Sequence, residues 1–370
     1  MPLTEAELTA LRRRCRTVLS GHHEDGPGTE LRRVGEWCAA NDAYADRYGD
    51  GAFIVGFEKK IAALLGVAAG AFMPSGTMAQ QIALRIWAER AGVSRIAMHP
   101  TSHLELHEQR AYARLHGLEA ILLGPRDRPT LPTDLADVRE RVAALLIEIP
   151  AREIGGQLPA WEQLVELSAI ARSREIWLHM DGARLWEARE AYAPRSLAQI
   201  CALFDSIYVS FYKGIGALAG AMLLGPADFI DEARVWRTRH GGTLVQLHPF
   251  VASAAMRFDA QLEKMPRYRQ RALALASALA KIPGLRILPS PPQVNMFHVF
   301  LEAATDAVIP ARDRLALEDD VWIAHRVGRP VAPGWSSIEI YVGDNLLALD
   351  DAEVVAIFVK LLACARAENA

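Results

Sequence analysis

Between about residues 70 and 225, short apolar runs alternate with longer segments of helical period. The apolar runs predict strands at 71–73, 95–99, 118–123, 144–149, 176–180, 206–210 and 219–224. The intervening segments predict helices at 77–91, 104–116, 133–142 and 159–174. Because the runs are continuously apolar rather than alternating, they are typical of strands buried on both faces of a parallel sheet. The pattern predicts an α/β fold with a mostly parallel, seven-stranded sheet and helices on both faces.

The remainder of the chain predicts a smaller α+β region. The last strand of the large sheet follows its predecessor after a loop too short for a helical crossover, so we expect it to pair antiparallel. After Pro226 the pattern predicts helices at 228–239, 247–264, 267–281, 311–317 and 350–365, and strands at 294–301 and 337–342. At 370 residues, a large domain and a smaller one are favoured over a single core. We expect a large domain at 41–250 and a small C-terminal domain at 251–370, with a helical segment at 1–40 that packs on the small domain or on a partner subunit.

Composition narrows the classes of partner and location. A net charge of −3 and a pI near 6.4 give no electrostatic reason to expect nucleic acid or an anionic membrane as a partner. The four cysteines are far apart in sequence and lack the spacing of a zinc site, so we expect no metal centre. Neither a signal peptide nor a membrane helix of about 20 apolar residues is indicated. We expect a cytoplasmic protein.

A carboxylate and a lysine follow two neighbouring strands of the predicted sheet. Asp181 comes directly after the strand at 176–180, and Lys213 lies in a small-residue loop after the strand at 206–210. Ligands of open α/β sheets lie outside the carboxyl ends of the strands, where His103 is also expected. The lysine can bind the aldehyde of pyridoxal 5′-phosphate (PLP), and the carboxylate can keep its pyridine nitrogen protonated. The pair therefore predicts a PLP enzyme.

Other residues at this edge fit the same cofactor. Ser75, Gly76 and Thr77 lie between a strand and the start of a helix, where backbone N–H groups and hydroxyls form a ready phosphate site. His103 can lie flat on the pyridine ring and take a proton from a substrate hydroxyl. Arg184 can reach the phenolic oxygen of the cofactor. A helix cap, a solvated loop and a surface helix are the ordinary structural alternatives for these residues, and their occurrence together favours the cofactor.

A dinucleotide site is the competing interpretation of the glycines after Lys213. The run from Gly214 to Gly220 has one residue too many for the Gly-x-Gly-x-x-Gly fingerprint, and it precedes a strand rather than a helix. Both differences argue against a nicotinamide cofactor.

The motifs resemble those of the L-threonine aldolase and aromatic amino-acid β-eliminating lyase family, which are fold-type I PLP enzymes. The similarity covers roughly residues 45–245 and includes Asp46-Arg-Tyr48-Gly-Asp, Pro74-Ser-Gly-Thr-Met, Ser102-His103, Asp181-Gly-Ala-Arg184 and Lys213-Gly-x-Gly. The resemblance implies a PLP-dependent transferase-like fold. By that resemblance the cofactor contacts are Lys213 at the aldehyde, Asp181 at the ring nitrogen, His103 on the ring, Ser75, Gly76 and Thr77 at the phosphate, and Arg184 at the ring oxygen. Ser210 is a further predicted cofactor contact.

The substrate side departs from the family pattern. Where the family places an arginine on a C-terminal strand to hold the substrate carboxylate, this chain has Glu339. Because an amino-acid carboxylate prefers a bidentate guanidinium, Arg152 is the first candidate replacement and Arg329 the second. Tyr48 is a further candidate for substrate binding.

The resemblance implies a homodimer or homotetramer with a small-molecule amino-acid substrate. The expected reaction is aldol cleavage of a β-hydroxy-α-amino acid, such as L-threonine, to glycine and an aldehyde. The first alternative is β-elimination from an amino acid. The second is a catalytically silent PLP-binding protein.

Overall fold

The computed structural model describes residues 3–367 of the chain. These residues form two compact units. The larger contains residues 25–153 and 158–263, and the smaller contains residues 3–24, 154–157 and 264–367. A seven-stranded sheet belongs to the larger unit, and a three-stranded and a two-stranded sheet belong to the smaller one.

The described residues form the following regular elements. The strands are β1 (Thr17–Val18), β2 (Ala69–Met73), β3 (Arg95–Met98), β4 (Glu119–Leu122), β5 (Ala144–Glu148), β6 (Trp177–Gly182), β7 (Ser206–Ser210), β8 (Ala221–Gly225), β9 (Leu285–Leu288), β10 (Met296–Leu301), β11 (Val321–Trp322) and β12 (Ser336–Tyr341). The helices are α1 (Glu5–Arg14), α2 (Pro27–Ala40), α3 (Ala52–Leu65), α4 (Gly76–Ala91), α5 (His103–Leu106), α6 (Ala111–His116), α7 (Pro132–Ala136), α8 (Trp161–Ser173), α9 (Leu185–Ala188), α10 (Leu197–Cys201), α11 (Ala227–Arg239), α12 (His248–Leu279), α13 (Thr305–Glu318), α14 (Asp344–Leu347) and α15 (Asp351–Ala367). Short 3₁₀ helices occur at Arg152–Ile154 and Arg189–Ala191.

The large sheet has the strand order β2-β8-β7-β6-β5-β3-β4. The strands from β7 to β4 in this order pair in parallel, and β8 pairs antiparallel with both β7 and β2. Every residue of β7 and β8 is buried, as expected for strands covered on both faces. The predicted α/β fold class, with its mostly parallel seven-stranded sheet, its one reversed strand and its smaller C-terminal α+β part, is confirmed.

Stacked aromatic side chains attach α4 to the sheet. The ring of Trp87 lies 4.2 Å from that of Trp177 and 4.5 Å from that of Phe229, centroid to centroid. Its indole Nε1 donates to Ser206 Oγ on β7 at 2.7 Å. Aromatic pairs in this geometry add to the gain from burial. Because β2 leads directly into α4, this packing fixes the first turn of α4 at the carboxyl edge of the sheet.

Two helices predicted in the large domain are shorter than expected. The helix predicted at 104–116 is divided into α5 and α6, because Gln109 and Arg110 both take a left-handed backbone with φ of 54°. The helix predicted at 133–142 ends at Ala136. In both cases the apolar period continues beyond the point at which the backbone leaves the helix.

Two predicted helix boundaries were placed at prolines that in fact lie inside continuous helices. The helices predicted on either side of Pro266 are one helix, α12, with Pro266 inside it. Likewise α13 begins at Thr305, well before the predicted 311, and contains Pro310. A proline in a helix removes one backbone hydrogen bond. Met265 and Tyr268, close to Pro266 in sequence, are both buried, and burial of apolar surface stabilises this part of the helix.

The two units divide the chain differently from the predicted ranges 1–40, 41–250 and 251–370. Residues 25–40 and 251–263 belong to the larger unit. The guanidinium of Arg257 explains this, since it donates to Glu30 on α2 and, at 2.9 Å, to the carbonyl of Gly216. Residues 3–24 belong to the smaller unit, in which β1 pairs with β11. The ends of the predicted ranges, 1–2 and 368–370, lie outside the described residues, and independent folding of each range stays a prediction.

None of the helices within residues 3–367 combines the length and the apolarity that crossing a bilayer requires.

Candidate active site

Asp181 and Lys213 meet at the carboxyl edge of the large sheet. Asp181 lies near the end of β6, is 2% exposed, and accepts a hydrogen bond from the backbone N–H of Ala183 at 3.1 Å. Lys213 is half-buried on the loop between β7 and β8. Burial raises the pKa of Asp181, and the nearby Lys213 ammonium opposes that rise. The structure therefore brings together the acid and the amine that the sequence paired.

Arg184 and Glu148 are further charged neighbours of Lys213. Burial and the Arg184 guanidinium lower the pKa of Lys213, whereas the Asp181 and Glu148 carboxylates raise it. Glu148 is the register partner of Asp181 on β5, and burial together with the Asp181 charge raises the pKa of Glu148 to about 8. A lysine with a lowered pKa has more of its neutral, nucleophilic form available near neutral pH.

Gly214 lets the lysine loop approach a second buried acid. A Cβ atom at Gly214 would lie 2.3 Å from Glu187 Oε1, so a larger residue there would displace the Glu187 carboxyl group. Glu187 is itself buried, on α9. The sequence analysis missed Glu187, although a glycine directly after the reactive lysine is a signal that another group packs closely there.

The first turn of α4 forms a small polar cradle. Ser75 Oγ caps the helix by accepting from the N–H of Met78 at 3.3 Å. The N–H groups of Gly76 and Thr77 belong to the first turn, where no intrahelical acceptor exists. A Cβ at Gly76 would lie 2.1 Å from the hydroxyl oxygen of Tyr208, so that hydroxyl sits directly against the helix start. The arrangement suits an anion such as a phosphate group.

Ser210 lies at the end of β7, one strand away from Asp181, and is fully buried. Its hydroxyl is close enough to that of Tyr208 to influence the pKa of Tyr208, which burial raises well above the usual value. Tyr208 was not among the predicted site residues. Its signal was a polar hydroxyl in an otherwise apolar strand, two residues before Ser210.

His103 is fixed by a buried carboxylate. Its Nδ1 lies 3.0 Å from Glu108 Oε1, and Glu108 Oε2 accepts from Gln81 Nε2 at 2.9 Å. A carboxylate only accepts, so Nδ1 carries the proton and Nε2 is the acceptor in the neutral ring. The imidazole is also close enough to Asp181 to lower the pKa of that acid. Glu108 was missed by sequence analysis.

A second imidazole stands beside His103. The ring of His107 lies 5.1 Å from the ring of His103 and is tilted by 48°. Its Nε2 lies 2.8 Å from Glu153 Oε1, which also accepts from Arg152 Nη1 at 3.3 Å. Arg152 is close enough to Lys213 to lower the pKa of the amine, and its backbone N–H donates to Glu148 at 3.0 Å. Arg152 thus joins the cluster, and His107 and Glu153 are additions to the predicted set.

The surroundings of Tyr48 and Arg329, the other predicted substrate contacts, differ from those of Arg152. Tyr48 is 47% exposed, takes a left-handed φ of 59°, and donates its N–H to the carbonyl of Val245 at 2.9 Å. Arg329 belongs to the smaller unit, where its 68% exposed side chain pairs with Asp306 at 2.6 Å. Their roles stay predictions.

Comparison with known proteins assigns the family. Residues 34–304 match the sequence model of the beta-eliminating lyase family. This chain belongs to the beta-eliminating lyase family. It is 40% identical to a Listeria monocytogenes EGD-E protein assigned as an L-allo-threonine aldolase, with a TM-score of 0.89 over 96% of this chain and 98% of that one. The recognised family is confirmed.

Two curated relatives are more distant. Aldolase vrtJ of Penicillium aethiopicum is 32% identical over 273 residues, which are 72% of this chain and 69% of the relative. The uncharacterized protein R102.4 of Caenorhabditis elegans is 30% identical over 260 residues, 68% of this chain and 61% of the relative. The match therefore spans less than two thirds of the nematode protein.

The beta-eliminating lyase family consists of PLP-dependent lyases with the type I fold, so the predicted enzyme class and cofactor are confirmed. The residues at the sheet edge fit this cofactor. The Ser102 hydroxyl, next to His103, is fully buried and has no hydrogen-bond partner within residues 3–367. An unpartnered buried hydroxyl is costly, and a bound polar molecule would supply its partner.

Proposed function

We propose that this lyase cleaves a β-hydroxy-α-amino acid, such as L-threonine, to glycine and an aldehyde. The observation that carries the proposal is the His103–Glu108 pair, because aldol cleavage requires a base for the hydroxyl proton and Glu108 leaves His103 Nε2 as a proton acceptor. Two relatives also support aldol cleavage: the Listeria protein assigned as an L-allo-threonine aldolase and the fungal aldolase.

When bound, PLP accepts the electrons released as the Cα–Cβ bond breaks. Lys213 would hold its aldehyde carbon, and Asp181 would keep a proton at the ring nitrogen. Asp181 is suited to this role because a buried carboxylate gains most from a fixed positive partner. Arg184 would contact the ring oxygen. The cradle of Ser75, Gly76 and Thr77, with Ser210 nearby, would hold the phosphate.

On the substrate, His103 would cover the ring face and take the hydroxyl proton through Nε2. His103 gains the proton that oxygen loses as the C–O bond becomes a carbonyl, and one proton added to Cα gives glycine and restores the proton balance. Arg152 would bind the carboxylate, since its guanidinium lies close to Lys213. Tyr48 and Arg329 are the other residues proposed to contact the substrate.

β-Elimination is the alternative, favoured by the family match over residues 34–304. In that reaction Lys213 would remove the α-proton and the β-substituent would leave. Product analysis separates the two reactions. Glycine and acetaldehyde from L-threonine or L-allo-threonine support aldol cleavage, whereas pyruvate and ammonia from serine or cysteine support elimination. A PLP-loaded protein inert towards all of them is the silent alternative and would contradict the proposal.

We also propose that the enzyme is a cytoplasmic homodimer or homotetramer. Its four cysteines all lie within the described residues and are free, as is usual in a reducing compartment. Tyr44 and Tyr48 are exposed large side chains of the kind that subunit contacts cover. Light scattering after size exclusion measures the oligomer, and a monomer at micromolar concentration would contradict it.

A further inference from the structure

We propose that His107, held in place by Glu153, binds the β-hydroxyl group of the substrate and thereby selects hydroxylated amino acids. The inference rests on the proposed aldol reaction and adds a specificity-determining pair to it. It assigns the hydroxyl recognition to a residue that neither the sequence motifs nor the cofactor site includes.

The hydrogen bond to Glu153 decides which nitrogen of His107 is available. Because Glu153 Oε1 accepts from Nε2 at 2.8 Å, Nε2 carries the proton and Nδ1 bears the lone pair. No hydrogen bond to Nδ1 occurs within residues 3–367. The side chains of His107 and Glu153 are each 29% exposed, so a small molecule can reach them. A neutral imidazole of this kind accepts the hydrogen bond of the substrate hydroxyl in the bound state, and the same O–H turns to His103 Nε2 for the cleavage step.

The topology puts this pair at the reacting edge. β3 and β5 are neighbours in the sheet, and their carboxyl ends lead to His107 and Glu153, respectively. Glu153 follows Arg152, whose N–H donates to Glu148, and Glu148 is the register partner of Asp181. On the other side, the His107 ring contacts that of His103. The pair therefore stands between the proposed carboxylate-binding arginine and the proposed ring-stacking histidine.

Glu153 links the two groups that an amino-acid substrate would need. Its Oε1 accepts from both His107 Nε2 and Arg152 Nη1. The hydroxyl and the carboxylate of a β-hydroxy-α-amino acid are attached to adjacent carbons, so the residues that bind them must also be adjacent. His103 presents a ring face to the cofactor in this scheme, and His107, tilted by 48° from it, is free to present its nitrogen edge.

The first test compares cleavage with a reaction that needs no hydroxyl group. H107F and E153Q are loaded with PLP and assayed for cleavage of threonine diastereomers and for exchange of the α-proton of glycine in deuterated water. We expect kcat/KM for cleavage to fall by about tenfold or more in H107F, because a hydrogen bond to the substrate is lost. Glycine exchange should change less than about threefold, because no hydroxyl group takes part in it. Equal losses in both reactions, or no loss in either, would overturn the proposal.

A matched control pair lies in the smaller unit. His325 Nε2 lies 2.5 Å from Glu5 Oε1, so H325F and E5Q remove a histidine–glutamate pair of the same kind. Both control variants should retain the wild-type ratio of cleavage to exchange. If H107F fails to fold, H107N, which keeps a polar side chain of smaller size, replaces it, and PLP absorbance verifies loading.

A second readout is independent of turnover. Nitrogen-15 NMR of histidine-labelled protein without cofactor reports which ring nitrogen carries the proton. We expect His107 to be protonated at Nε2 in the wild type and to become a mixture of tautomers in E153Q, with His103 unchanged. A wild-type His107 protonated at Nδ1 contradicts the proposal. If the wild type cleaves no β-hydroxy amino acid, the proposed aldol function is wrong. That outcome is distinct from a failure of the His107 proposal, which the tautomer measurement tests without turnover.

Discussion

His179 and Ser206 are hydrogen-bond partners across β6 and β7, with Nδ1 2.7 Å from Oγ. His179 Nε2 lies 2.6 Å from Gln80 Oε1, and Ser206 Oγ also accepts from the indole of Trp87. The amide oxygen only accepts, so Nε2 is the donor and Nδ1 accepts from the serine hydroxyl. Both imidazole nitrogens and the serine hydroxyl are thereby paired with the imidazole neutral, two residues before Asp181 on the same strand.

This network predicts an acid-dependent loss of stability. Burial lowers the pKa of His179 to about 3, so between roughly pH 6.5 and that value the unfolded chain binds a proton that the native protein does not. Stability should therefore fall as pH decreases through this window, by up to about 1.4 kcal/mol per pH unit. Urea unfolding of wild type and H179Q between pH 4 and pH 7 measures the difference. If the unfolding free energy of H179Q depends on pH as steeply as that of the wild type, the prediction is wrong. The control is H23Q, which changes a histidine at an exposed position.

The Glu148 carboxyl group predicts that stability depends on pH in the opposite direction. Its pKa is raised to about 8 by burial and by Asp181, so above the usual carboxyl value the native protein retains a proton that the unfolded chain has released. The sign of the linkage makes stability decrease as pH rises from about 4.5 to about 8. Over this pH range the unfolding free energy of cofactor-free E148Q should fall less than that of the cofactor-free wild type. We expect the difference between the two falls to be at least about 1 kcal/mol. Denaturant titrations at several pH values test this, with exposed Glu140→Gln as the comparison.

The close contact between Gly76 and Tyr208 predicts that a second substitution at Tyr208 restores stability lost by a substitution at Gly76. The methyl group of G76A would lie 2.1 Å from the tyrosine hydroxyl oxygen, an overlap that we expect to cost about 1–3 kcal/mol and to weaken PLP binding. Removing that oxygen in the double variant G76A/Y208F should restore part of the stability. A Cβ atom at Gly28 would meet open space, with no neighbouring side chain or backbone within 4 Å, so G28A should leave PLP affinity unchanged. Absence of any rescue would show that the clash is not the cause.

Lys213 predicts the point of covalent attachment. Borohydride reduction of the PLP-loaded enzyme, followed by peptide mass spectrometry, should locate the cofactor on Lys213. K213A should lose the visible absorbance and reduce cleavage by about a thousandfold or more, since an activated nucleophile is removed. K59A, which alters an exposed lysine on α3, should behave as wild type. Attachment at another lysine would refute both the cofactor geometry and the proposed mechanism.

The parts of the fold that local patterns specify were predictable. Most of the sheet strands begin or end within a residue or two of the predicted positions because each is a short, continuously apolar run bounded by turns, and Asp181 and Lys213 follow two of these runs. The strand order then brings them together without any further information. A topological rule about carboxyl ends was sufficient for this step.

The partners of the two histidines could not be predicted in the same way. Glu108 is five residues from His103, and residues five apart do not face each other on a continuous helix. They meet because α5 ends at Leu106, before the left-handed pair Gln109 and Arg110. The contact between His107 and Glu153 joins loops that follow different strands, 46 residues apart in sequence. Periodicity carries no signal for contacts of either kind.

The reversed strand β8 has a consequence for how this lysine loop can vary. Both strands that flank residues 211–220 are buried at every position, so neither end of the loop can slide to absorb a change in length. A single inserted or deleted residue would either displace the amine from the acid or turn the side chains of β8 to opposite faces. Engineering of new substrate preferences in this scaffold is therefore best directed at the segments that carry His107 and Glu153, with the spacing between Ser210 and Ala221 left untouched.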